Sequence, residues 1–407
     1  MDVKLSRRQL FVMFGALYFV QGVIATYQLL FFKPHMRSEG IDPDRLAIVT
    51  SLALLPFIIK WIYGILSDRF NLFGRGHRVP YMQIGLVATA IAFAIAFFID
   101  PSESFGLIAV MVLAATFFMA LFDTTADALA IDVVVPEDHG RVQAWMQGGR
   151  ALGLILLSLG FGVIADQVGY QWIFLLVAAL LLVPLAYVNR VQEPATRTPA
   201  HSFDRRAFRA MLQPRYLLFA LFLIITWTCF QGIEGLVSLY MDEELLATGT
   251  QIGWYGTVKG IGMVIGAVGV ATLVSKFDRR TAALVTICTV TIGGLALSWA
   301  TSLTAIMVIA VFWGIAVGLQ WTTYVTMAMG ITDTRIAASM FAILQTMSNI
   351  GMGAGESVVA LTDNMGYPAV FRMLGLINLV VVPLLFVIAR RFANMWARTE
   401  AELVIED

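Results

Sequence analysis

Long apolar runs separated by short polar breaks fill almost the whole chain. They fall at about 10–32, 46–66, 80–99, 105–131, 142–165, 170–189, 215–240, 251–274, 281–299, 304–329, 336–361 and 367–390. A bilayer core takes about 20 apolar residues as one helix, so the pattern predicts twelve membrane helices. One long polar break divides them six and six, giving 1–189, a linker at 190–214, and 215–407. Within the linker, Ser202–Leu212 reads as a short amphipathic helix capped by Ser202 and turning Phe203, Phe208, Met211 and Leu212 toward lipid headgroups.

Basic residues in the breaks set the orientation. Twenty of the 27 lysines and arginines fall at the N-terminus (Lys4, Arg7, Arg8), in alternate breaks, in the linker and in the tail. Lys33, Arg37 and Arg45 occupy the other side, with Arg372 just inside a helix. Both termini and the linker are therefore predicted to be cytoplasmic. Lys4, Arg7 and Arg8 precede a long run with no small-residue cleavage site, which reads as a retained first span.

Composition agrees and narrows the chemistry. The chain of 407 residues is 59% hydrophobic and 13% charged, against roughly 25% charged for a soluble domain. Zero net charge gives no reason to expect a nucleic-acid partner. Cys229 and Cys288 lie inside apolar runs and the four histidines in breaks, so no disulfide framework, metal site or cofactor is expected. No nucleophile or phosphate-loop constellation suggests an enzyme.

The halves echo each other. Asp166-x2-Gly169-Tyr170 returns as Asp363-x2-Gly366-Tyr367, Gln21-Gly22 as Gln231-Gly232, and Ser67-Asp68-Arg69 more faintly in Ser275–Arg280. Three echoes in the same order predict two parallel repeats, with a solute site between them near the midplane.

Ionisable groups in lipid are expensive, so each calls for a partner or a watery cavity. They are Lys60, Asp123, Asp127, Arg150, Glu234, Lys259, Glu356 and Arg372. Asp123 and Asp127, four apart, share a helix face, and Arg150 lies roughly 13 Å into the fifth helix, level with Asp123. With Lys60 these predict one network in the first half. Glu234–Lys259 and Glu356–Arg372 match in depth and predict two ion pairs in the second. Trp227, Gln231, Glu234 and Ser238 form a polar stripe on the seventh helix. Gln320, Trp321 and Tyr324 cluster on the tenth, where Trp313 alone reads as packing, and Gln21 and Gln28 stand seven apart on the first. These predict a cavity for a polar organic solute with a ring portion, with Asp123, Asp127 and Glu234 as proton-coupling candidates. Glycine pairs such as Gly149-x3-Gly153, Gly262-x3-Gly266 and Gly351–Gly355 predict close helix crossings.

Two motifs carry a resemblance. Gly64-x-Leu66-x-Asp68-Arg69, continuing to Gly74-Arg75-Gly76-His77-Arg78, resembles the loop signature of the major facilitator superfamily. Leu55-Pro56-x3-Lys60-x2-Tyr63-Gly64-x-Leu66-x-Asp68, with Asp127–Asp132 and Gly149-Arg150, is similar to the folate–biopterin transporters, muropeptide permeases and acetyl-CoA transporters. The resemblance implies an all-α membrane protein, twelve transmembrane helices in two six-helix pseudo-symmetric halves. It also implies a secondary active transporter of a small organic solute, proton-coupled, working by alternating access with helices 1, 4, 7 and 10 lining the cavity. A monomer in the inner or plasma membrane is expected. The competing class is a non-transporting membrane assembly or sensor protein on the same fold. Gly64, Asp68, Arg69, Arg75 and Arg78 would form a cytoplasmic gate, with Asp68 seated on the N-terminus of the eleventh helix at Ala337, Ala338 and Ser339.

Overall fold

In a computed structural model, residues 5–74, 76–135, 138–191, 193, 211–276, 278–331 and 337–392 are described; the amphipathic segment expected at 202–212 and the gate residue Arg75 lie essentially outside them. Among the described residues ten helices are long and apolar enough to cross a membrane: α1 Arg7–Ser38, α2 Pro43–Arg69, α3 Val79–Ala96, α4 Pro101–Val133, α5 Arg141–Gln167, α6 Gln171–Val188, α7 Pro214–Glu243, α9 Arg279–Trp299, α10 Leu303–Met329 and α12 Tyr367–Phe392. Two more occupy the remaining predicted windows, α8 Gly249–Lys276 of 28 residues and α11 Ala337–Glu356 of 20.

The chain divides into two compact units, residues 1–202 with 241–257, and residues 203–240 with 258–407. Within the first unit α1 packs on α5, α3 on α4 and α3 on α6. Within the second the equivalent pairs are α7 on α11, α9 on α10 and α9 on α12. Shifting each first-unit pair by six helices gives the second, which is the packing form of the repeat. The sequence echoes behave alike as well. Gly169 and Gly366 end their helices with φ of +103° and +75°, a backbone region that disfavours any side chain. Residues 241–257 join the first unit through α5. Asp166 accepts from the amides of Gly249 (2.6 Å) and Thr250 (2.8 Å), satisfying the free N–H groups that open α8.

Two helices break from regular geometry, each for a local reason. Around Pro56, which has no N–H and clashes with the preceding turn, α2 divides into Pro43–Leu52, Leu55–Ile58 and Lys60–Arg69. In α1 a π-turn spans Tyr27–Phe31, and the extra residue rotates everything beyond it relative to Gln21.

The α1–α5 crossing is set by glycine. A Cβ on Gly149 would fall 2.1 Å from the Gly15 carbonyl oxygen, and one on Gly22 2.2 Å from that of Arg150. Gly148, one residue earlier, faces open space. Gly149→Ala is therefore expected to cost about 1–3 kcal/mol through overpacking. Gly148→Ala should be neutral or slightly stabilising, because alanine is the better helix former. Thermal unfolding of the two purified variants separates these outcomes.

Candidate functional site

In the first unit the charges meet around Lys60. The break after Pro56 ends at Ile59, so Lys60 opens a fresh helical segment facing α4. Its ammonium pairs with Asp123 and lies 3.4 Å from Asp127 Oδ2. The second oxygen of each carboxylate is taken by α1. Gln21 Nε2 donates to Asp123 Oδ1 at 2.6 Å, and the Tyr18 hydroxyl donates to Asp127 Oδ1. Gln21 and Asp123 are buried. The cluster thus brings two carboxylates against one lysine. Arg150, expected beside Asp123, is half-buried, brings its backbone against Gly22 at the α1–α5 crossing, and its charge acts on the same Tyr18 that Asp123 and Asp127 act on. Tyr18 was not anticipated, although its spacing of three from Gln21 puts it on the same face of α1.

Gln28, within the π-turn, lines a small, mostly apolar recess with Ala92, Met111 and Phe174 of the same unit.

In the second unit Glu234 is the hub. Lys259 of α8 donates to Oε1 and the Trp313 indole of α10 to Oε2, all three buried. The expected Glu234–Lys259 pair is thus made, and Trp313, expected only to pack, is its third member. The Glu356–Arg372 pair is not made. Glu356 Oε1 instead accepts from Gln231 Nε2 at 2.6 Å, and Arg372 is exposed. The physical reason is rotational: equal depth on adjacent helices does not place two side chains on facing surfaces. The repeated glutamines do the same work in both units, each giving an amide N–H to a buried carboxylate.

Beside Glu234 runs an aromatic wall. Trp313 stacks on Phe230 (5.8 Å between centroids, 18°), Phe230 meets Trp227 edge-on (5.5 Å), and Trp227 meets Trp321 at 4.6 Å. Tyr324 packs edge-on against Phe222. Two donors on this wall, Trp227 Nε1 and Gln320 Nε2, are buried without an acceptor among the described residues.

The gate loop is organised by Arg78. Its guanidinium is 2.6 Å from Asp68 Oδ1 and 3.1 Å from Asp132 Oδ2, and it also donates to Ser67 Oγ. Asp68 is thus held by its own unit; the side chains of Ala337, Ala338 and Ser339 lie outside the described residues. Gly64 approaches Thr124 of α4, and Arg69 is exposed. A further anchor comes from the linker. Glu193 accepts from the consecutive amides of His77 (2.6 Å), Arg78 (2.7 Å) and Val79 (2.6 Å), the opening of α3. An anion at a helix N-terminus meets free amides and the positive end of the dipole. The site depends on Gly76, at φ +142°, where a Cβ would strike the Glu193 carboxylate. Only a lone glutamate in a polar linker marks this contact in the sequence, which is why it was missed.

Two outcomes follow. Lys60→Met should destabilise the protein by about 3 kcal/mol, because it leaves the buried Asp123 and the half-buried Asp127 without their cation. Adding Asp123→Asn and Asp127→Asn should recover most of the loss, as read by thermal unfolding. Glu193→Ala should speed hydrogen exchange at His77–Val79 by about tenfold, the equivalent of roughly 1.4 kcal/mol.

Comparison with known proteins agrees with this architecture. The chain is 24% identical over 266 residues to the folate-biopterin transporter of Synechocystis, covering 63% of this chain and 52% of that protein. It is 23% identical over 345 residues to the anhydromuropeptide permease of Escherichia coli K12, covering 78% and 66%. The matches thus span about half to two thirds of these curated relatives. Among solved structures, the nucleoside transporter NupG superposes with a TM-score of 0.69 at 12% identity, covering 97% of this chain and 99% of that one. A D-xylose-proton symporter gives 0.70 at 14%, covering 93% and 96%. The Major Facilitator Superfamily matches residues 10–355 and 225–403. The chain belongs to that superfamily.

Proposed function

We propose that the protein is a secondary active transporter that moves a polar organic solute by alternating access, coupled to protons. It works as a monomer in the inner or plasma membrane, with both termini and the linker in the cytoplasm and no partner beyond lipid, solute and proton. The observation that carries the reading is the pair of buried donors without acceptors, Trp227 Nε1 and Gln320 Nε2, on an aromatic wall. A buried donor left unmade costs about 1–3 kcal/mol. A scaffold with no solute would avoid that cost by carrying leucine there. A solute with a planar ring and hydrogen-bond acceptors would satisfy both donors and stack on the indoles. The proteins to which the chain is similar include carriers named for folate and biopterin and for nucleosides, both ring-bearing solutes.

Coupling belongs to the first unit in this reading. Asp123 and Asp127 share Lys60, and a carboxylate so placed takes up a proton when the cluster is closed from water and releases it when it is wetted. Asp123 and Asp127 are the candidates. Glu234 is already matched by Lys259 and Trp313, which suits it to hold the wall in place.

The test is uptake into proteoliposomes of biopterin, folate, inosine and a muropeptide, with and without an inward proton gradient. At least one ring-bearing probe should accumulate above equilibrium with the gradient and only equilibrate without it. In Asp123→Asn, gradient-driven accumulation should fall at least tenfold while that probe still raises the melting temperature. Accumulation in the variant equal to wild type would remove Asp123 from coupling.

A further inference from the structure

The described ends of α9 and α12 carry a cluster of arginines that the ion networks above do not use. Arg280 lies with its guanidinium 4.0 Å over the ring of Phe386. Four residues on, and so on the same face of α12, stands Arg390, with Arg391 beside it; both are exposed. Among the described residues, none of these three has a hydrogen bond or an ion pair to an acid. The acid nearest Arg280 in sequence, Asp278, is committed to capping α9 through the Thr281 amide at 2.6 Å. Arg215 extends the cluster toward α7, over Tyr216 at 4.9 Å and Phe392 at 5.8 Å.

Below the arginines both helices expose apolar surface. On α12 it comprises Leu376, Leu379, Val380 and Val387, with Val380 64% exposed. On α9 Cys288 and Ile292, four apart and so on one face, are exposed further along the helix. In a membrane-spanning bundle such a surface lies against acyl chains. It therefore places the guanidinium groups at headgroup depth.

We propose that this end of α9 and α12 binds the headgroup of an anionic phospholipid, its phosphate held by Arg280 and Arg390 and its chains lying on the apolar stripe. Guanidinium offers a planar fork that matches a phosphate. Stacking on Phe386 holds that fork in place before the lipid arrives, which lowers the ordering cost of binding. The headgroup supplies a negative charge that no acid among the described residues gives these arginines. The site is independent of the solute pathway and stands whether or not the protein transports.

Delipidated protein in detergent is titrated with dioleoylphosphatidylglycerol, dioleoylphosphatidylcholine or inorganic phosphate, and retained lipid is read by native mass spectrometry. Wild type should retain phosphatidylglycerol at least tenfold better than phosphatidylcholine, and phosphate should not displace it. Since each arginine near an anionic headgroup contributes a factor of about five, Arg280→Gln with Arg390→Gln should lower phosphatidylglycerol retention roughly 25-fold. Phosphatidylcholine retention should not change. Phe386→Leu, which keeps every charge, should lower it about two- to fivefold and covers the case in which the double variant fails to fold. Arg8→Gln, at an exposed arginine on α1, should have no effect. Equal retention of the two lipids, displacement by phosphate, or wild-type retention in the double variant would overturn the proposal.

Discussion

A charge in hydrocarbon has to be matched, and that constraint arranges most of what is polar in this protein. Lys60 meets Asp123 and Asp127, Lys259 meets Glu234, and Arg78 meets Asp68 and Asp132. Each pairing joins two helices or helix ends within one unit. Taking away one member leaves a charge that lipid cannot solvate, so the pairs specify which helices pack at least as much as they stabilise them. The two membrane clusters differ in make-up. In the second unit Glu234 meets one lysine and is further tied by Trp313, whereas in the first two carboxylates share Lys60 and are tied by Gln21 and Tyr18. Two carboxylates sharing one ammonium are where a proton is taken up or released at modest cost.

Around these clusters the repeated architecture does the structural work. Glycine faces let α1 and α5 approach to backbone contact, and Gly351 and Gly355 do the same for α11 against α7. Helices packed through small residues have few interlocked side chains to disengage, which suits elements that must shift between states. The gate loop is the opposite kind of structure. Arg78, Asp68, Asp132, Ser67 and Glu193 bind it from α2, α4 and the linker at once. The loop is thereby tied at several points to α2, α4 and Glu193.

The fold was legible because its signals are long. Twelve apolar windows, one polar linker and the basic bias of alternate breaks need no knowledge of side-chain direction. The sites were legible only where spacing along one helix sufficed. Asp123 with Asp127, and the stripe from Trp227 to Glu234, are read from periodicity alone. One reading went astray where periodicity is silent. Glu356 turned to Gln231 because depth does not fix rotation. Arg78, ten residues from Asp68 and holding it, is a local partner that spacing along one helix does not reveal. Glu193 was invisible because its partners are backbone amides, which every residue has.

The central claim is that a carboxylate beside Lys60 changes protonation as the protein handles its solute. Infrared difference spectroscopy on reconstituted protein, recorded on adding the probe that binds most tightly, tests it directly. The account predicts a protonated-carboxyl C=O band that changes with binding, shifts in heavy water and disappears in Asp123→Asn or Asp127→Asn. A difference spectrum with no carboxyl band, from protein that still accumulates the probe against a gradient, would contradict it.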